Sequence, residues 1–117
     1  MNHHRLIGGL GLALMLASRA LAADPGDAAE GKRLALQTCT ACHRVAADQA
    51  REPTLKPPAP NFLSVANGAG LTDGGVYDFL RSNHKSRQTP PDMPTMILSE
   101  GEAMDLTAYI VSLRKTP

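Results

Sequence analysis

The stretch Gln37-Thr-Cys-Thr-Ala-Cys-His-Arg-Val-Ala46, "QTCTACHRVA", holds both cysteines of the chain, Cys39 and Cys42, with His43 directly after the second. Two thiols three positions apart lie one helical turn from each other. The next residue projects from the same turn. Around this stretch lies a chain of 117 residues with 43% hydrophobic and 20% charged side chains, enough for one small globular domain. Its aromatic content is only 3%, in Phe62, Tyr77, Phe79 and Tyr109, with no Trp. Aromatic rings supply large pieces of a core. A short chain this poor in them needs another large apolar body, a metal or cross-links.

Cys39-Thr40-Ala41-Cys42-His43 fits the C-x-x-C-H signature of covalent c-type haem attachment. Each thiol can reach one vinyl group on one edge of a porphyrin, and the adjacent imidazole can reach the iron. Competing uses of the pair are weaker. A redox-active C-x-x-C belongs near a βαβ pattern, and no strand alternation is visible. A structural zinc site takes about four ligands, and adjacent Cys42 and His43 are poorly placed to share one ion. A plain disulfide accounts for neither the histidine nor the missing core mass.

The N-terminus reads as a secretory signal peptide over residues 1–22, leaving a domain at 23–117. A short polar start precedes the 12-residue apolar run Leu6–Ala17, and Ala20-Leu21-Ala22 offers small residues for cleavage. The run is short for a membrane span of about 20 residues. Cleavage removes Arg5 and Arg19 and leaves one more acidic than basic side chain. That balance gives no reason to expect nucleic acid. Export places the cysteines in an oxidising compartment, and the expected location is periplasmic.

Beyond the leader the pattern is all-α. Gly31, Leu34, Ala35 and Thr38 form one narrow helical stripe of mostly small residues, with Asp27 as cap and Glu30 three residues later. Residues 44–61 are irregular, with Pro53, Pro57, Pro58 and Pro60 excluding a regular helix or central strand. "NFLSVAN" offers one helical turn. Leu71–His84 starts at a Thr72 or Asp73 cap and presents Val76, Phe79, Leu80 and Asn83, with Tyr77 beside them. A second proline-broken loop follows. Ser99–Lys115 is the strongest helix, with a Ser99/Glu102 capping box and the face Leu106, Tyr109, Ile110, Leu113. The expectation is three main helices joined by proline-rich loops.

"AAEGKRLALQTCTACH", "APNF" and "MPTMILSEGEAMDLTAYIVSLR" together resemble a bacterial monohaem cytochrome c of class I, over essentially the whole chain after the leader. The resemblance implies the class I cytochrome c-like fold around one haem c held through Cys39 and Cys42. It implies a crossing of the first and last helices near Gly31 and Tyr109. It implies His43 as an axial ligand, with the Pro60 carbonyl accepting a hydrogen bond from its second ring nitrogen. For the sixth ligand the candidates are Met93, Met96, Met104 and His84. A methionine followed by proline, some residues before the last helix, is the family's usual choice, and Met93-Pro94 fits it. Met96 then packs on the haem face.

The function this implies is electron transfer with His43 and Met93 as metal ligands, not enzymatic catalysis. Expected partners are redox proteins, without nucleic acid or a small-molecule substrate; loose association with a membrane complex is compatible with that role. Arg81, Lys85 and Arg87 offer a basic cluster to steer an acidic partner. A subunit dedicated to one dehydrogenase or oxidase has the same chemistry. A haem enzyme or gas binder with an open sixth site needs a distal acid–base group, for which His84 is the one remaining histidine after leader removal.

Overall fold

The computed structural model describes residues 25–82, 93–94 and 96–115, and among them every regular element is helical. The expected leader, Asn83, His84, Lys85 and Arg87 lie outside the described residues. Among the described residues four helices occur in the order α1 (Ala28–Thr38), α2 (Phe62–Ala66), α3 (Asp73–Arg81) and α4 (Glu100–Ser112). The expected single turn at "NFLSVAN" is α2, and the three main helices are α1, α3 and α4.

Each start is set by a polar cap that gives orphan N–H groups an acceptor. The Asp27 carboxylate accepts from the N–H groups of Ala29 and Glu30 at 2.8 and 3.1 Å. Glu30 does not complete a capping box there, because its carboxylate binds the Arg33 guanidinium. The Asp27 N–H instead donates to Asp105 Oδ1 of α4 at 2.7 Å, which ties the first helix to the last. Asn61 caps α2 through the Ser64 N–H, and Thr72 caps α3 through the Gly75 N–H. At α4 the capping box is complete: the Ser99 hydroxyl accepts from the Glu102 N–H, and the Glu102 carboxylate accepts from the Ser99 N–H.

Helix α4 is common to all the helix packing. Its buried face is Ala103, Leu106, Tyr109 and Ile110, and it meets α1 most extensively, then α3, then α2. Gly31, Leu34 and Ala35 of α1 are buried against it as the stripe predicts. Thr38 departs from that stripe. It is exposed at the helix end, and its hydroxyl donates back to the Leu34 carbonyl, so Cys39 takes the next inward position. A Cβ on Gly31 would meet the Asp105 carbonyl group and come within 2.8 Å of Tyr109 Cβ. Only glycine permits this approach of the two backbones. Gly26 meets the same helix just before α1, with φ at +80°, a conformation that favours glycine.

On α3 the structure corrects the predicted face. Val76 and Leu80 are buried and Tyr77 packs against the core, while Phe79 remains 49% exposed. At 3.6 residues per turn, a stripe of positions 76, 77 and 80 is centred toward Tyr77 and leaves position 79 at its edge. The C-terminus is held by Asn67. Its amide donates to the Leu113 carbonyl at 3.2 Å, and its oxygen accepts from the Lys115 N–H at 2.9 Å. Arg114 and Lys115 fall just beyond α4, and Arg114 pairs with Asp73 at the start of α3.

Candidate functional site

The Cys39–His43 motif occupies a tight turn that continues the coil of α1. The Cys42 and His43 N–H groups both donate to the Cys39 carbonyl, at 3.2 and 2.9 Å. Cys39 is buried, Cys42 and His43 are half-buried, and the two thiols are not joined to each other. Burial pushes the Cys39 thiol above its ordinary range; the Thr38 hydroxyl 3.4 Å away works against that, and the neighbouring Cys42 adds to it.

The irregular segment after the motif folds back and covers its carbonyls. Thr54 donates to the Ala41 carbonyl through both its N–H and its hydroxyl, and the Leu55 N–H donates there too. The Ala59 N–H donates to the Cys42 carbonyl at 2.9 Å, and the Phe62 N–H to Arg44 at 3.0 Å. Proline has no N–H, so the residues interleaved with the prolines supply every donor. What Pro60 supplies is its carbonyl. His43 Nδ1 lies 2.7 Å from the Pro60 carbonyl oxygen.

That contact fixes the chemistry of the imidazole. A carbonyl oxygen only accepts, so Nδ1 carries the proton and donates. Of the two neutral tautomers this contact selects the one with its lone pair on Nε2, the form that binds a metal. Ring orientation is fixed a second way. Phe62 lies against His43 with centroids 5.4 Å apart and planes tilted by 59°, and Phe62 in turn meets Tyr109 at 6.4 Å. The Tyr109 hydroxyl donates to the buried Val45 carbonyl at 2.7 Å. A continuous run of contacts thus joins the α1–α4 crossing to the imidazole.

Gln49 escaped the sequence reading. It is buried, its side-chain oxygen accepts from the Val45 N–H at 2.8 Å, and its amide donates to the Arg51 carbonyl at 2.6 Å. With Tyr109 it satisfies both backbone groups of Val45. A lone glutamine in an irregular segment has no periodicity to mark it.

Met93 and Met96 are both half-buried on the segment leading into α4, and Met104 is half-buried on α4 itself. Of the expected basic cluster, Arg81 is among the described residues. Its guanidinium donates to the Leu98 carbonyl at 2.8 Å, two residues after Met96.

The donor set fits an iron porphyrin. Two unpaired thiols on one turn and an imidazole with its proton held on Nδ1 are the donors such a group takes, and Met93 and Met96 carry thioethers on the segment before α4. Soft sulfur and imidazole nitrogen suit low-spin haem iron. Among the described residues, no three His, Cys, Asp or Glu side chains converge as a metal site of their own. No helix among them is long and apolar enough to cross a membrane.

Comparison with known proteins agrees with this chemistry. The family model described as Cytochrome c matches residues 28–114. Cytochrome c-552 of Bradyrhizobium diazoefficiens is 37% identical over 111 residues, covering 95% of this chain and 98% of the relative. No solved structure matches.

Proposed function

This chain belongs to the cytochrome c family, and from that premise we propose that it is a periplasmic electron carrier with His43 and Met93 as axial ligands. It is an electron-transfer haem protein, with one haem c covalently attached through Cys39 and Cys42. Haem c, when bound, supplies a one-electron iron couple.

The chain's own residues define the environment of that couple. His43 offers Nε2 because the Pro60 carbonyl holds the proton on Nδ1. The same hydrogen bond makes the imidazole a stronger donor. Phe62 restrains the ring from turning. Met93 offers a soft thioether, which favours the ferrous state and raises the potential. Two protein ligands leave no coordination site for a substrate, and this supports a carrier rather than an enzyme. The leader-like N-terminal sequence supports the periplasm, and docked redox proteins are the partners such a carrier serves.

The His43–Pro60 contact carries the proposal. It is made by a residue whose lack of an N–H leaves it only a carbonyl to offer, and it prepares the imidazole for a metal. The test is an absorption spectrum of the holoprotein, oxidised and reduced. A low-spin spectrum with a weak sulfur-to-iron charge-transfer band in the far red is expected. A high-spin protein that binds carbon monoxide readily would replace the carrier with a protein whose sixth site is open.

A further inference from the structure

Arg81 is the last residue of α3 and lies on the protein surface, where long cationic side chains usually extend into water. Its guanidinium instead donates to the main-chain carbonyl of Leu98, 17 residues away, at 2.8 Å. The chain between these two residues contains Met93 and Met96. One hydrogen bond therefore ties the end of α3 to the main chain two residues after Met96.

We propose that Arg81 is a positioning residue for the sixth ligand: its bond to the Leu98 carbonyl holds the methionine segment in register so that the thioether stays on the iron. This rests on the His/Met reading above. The segment is anchored beside α4 at two adjacent points, the Leu98 carbonyl by Arg81 and the Ser99 N–H by Glu102. Between these anchors and Met96 sits Ile97, which is 99% exposed and so gains almost nothing from packing. Leu98 packs against the core, and the two hydrogen bonds fix the main chain on either side of its carbonyl carbon. A thioether is a weak ligand, and its hold depends on how firmly the main chain beside it is placed. Pinning the main chain at Leu98, two residues after Met96, removes part of its freedom. Arginine suits the task because its planar fork is pre-organised to donate, and its bond to a carbonyl is charge-assisted.

A positive charge at the end of α3 also favours the helix dipole. That role alone would make Arg81 matter for stability and not for ligation, so the readout must be ligation. The experiment uses the oxidised holoprotein and titrates it with imidazole, following loss of the far-red charge-transfer band. Arg81→Ala is expected to bind imidazole on the order of fivefold to tenfold more tightly, the effect of one exposed charge-assisted hydrogen bond. Arg81→Lys keeps a donor and the charge and is expected to fall nearer the wild type. Arg114→Ala is the control. It removes the Arg114–Asp73 ion pair and the bond to the Leu71 carbonyl, and touches no part of the methionine segment. It is expected to lower stability and leave imidazole affinity unchanged.

Equal imidazole affinity in Arg81→Ala and wild type would overturn the proposal and leave His/Met ligation standing. So would a matching change in Arg114→Ala, which would make the effect one of general loosening. An Arg81→Lys variant no better than Arg81→Ala would overturn the donor role. A wild-type protein without the band would overturn the ligation itself, and this proposal with it.

Discussion

Gly31 of α1 lies so close to Tyr109 of α4 that a Cβ on Gly31 would sit 2.8 Å from Tyr109 Cβ. The aromatic ring that this approach seats reaches Phe62, and Phe62 reaches His43. The contact between two helix backbones thus sets the wall against which the candidate iron ligand rests.

Substitution of Gly31 puts two effects in opposition. Alanine is the better helix former by ~1 kcal/mol. Its methyl group, however, would overlap the Asp105 carbonyl group, which is helix backbone and cannot rotate aside. Overpacking of this kind costs about 1–3 kcal/mol or more, so the clash wins. Gly31→Ala is expected to lower stability in guanidinium denaturation of the holoprotein, and Gly31→Val to lower it further. A stabilised Gly31→Ala would mean that the helices separate freely at the crossing.

Tyr109→Phe keeps the ring and removes the hydroxyl that donates to Val45. Val45 is 1% exposed, so its carbonyl loses its tyrosine partner where water cannot readily replace it. The expected loss is about 1–3 kcal/mol, read as a lower denaturation midpoint at unchanged slope. Because Phe62 still rests on the ring, the haem spectrum should be preserved.

The parts of this fold that were legible in the sequence are those marked by spacing or by a cap. The Ser99/Glu102 box, the Leu106–Tyr109–Ile110 face, the Asp27 cap and the small-residue stripe at Gly31 are local patterns, and each has its expected place. Phe79 departs from the face its spacing predicts, because a nine-residue helix offers too few turns for periodicity to decide which edge of a stripe is covered. Gln49, Asn67 and the Arg81–Leu98 bond were invisible for another reason. Each joins a side chain to a main-chain group, and in two of the three that group is remote in the chain. Main-chain acceptors leave no mark on the residue types around them.

Changing both Cys39 and Cys42 to Ala is expected to leave little folded protein. Of the chain's four aromatic side chains, two are buried, Phe62 and Tyr109. So small an apolar core depends on a covalently held cofactor for the rest. Changing one cysteine alone should leave a single attachment and a partly destabilised protein. Haem staining after denaturing electrophoresis, with circular dichroism of the same samples, checks both expectations. A well-folded double variant without haem would contradict them.

The Glu102 carboxyl is held below its ordinary value of 4.5, first by the Ser99 N–H and then by the Ser99 hydroxyl. A depressed folded value means that the ionised cap stabilises the protein fully above the ordinary value. That contribution fades as pH falls from there through the lowered one. Glu102→Gln keeps the geometry of the box but does not titrate. The stability difference between wild type and Glu102→Gln should be constant near neutrality and shrink below pH 4.5. Denaturation midpoints measured across the acid range test this. A difference that stays constant through the acid limb would mean that the charge adds nothing to the cap.

Met93 and Met96 separate by their effect on iron. If Met93 holds the sixth position, Met93→Ala abolishes the far-red band and leaves a largely high-spin iron. The potential falls, because a ferrous-favouring thioether has been removed. Met96→Ala keeps the band. Met96 is only half-buried, so its truncation should cost about 1–2 kcal/mol, less than the ~2–5 kcal/mol of a fully buried methionine. The two readouts are independent, since ligation appears in the spectrum and packing in the denaturation midpoint. The reverse pattern, with the band lost in Met96→Ala and kept in Met93→Ala, would move the ligand three residues along the same segment. Arg81 would then hold the ligand from a carbonyl only two residues away, and its effect on imidazole affinity should be larger.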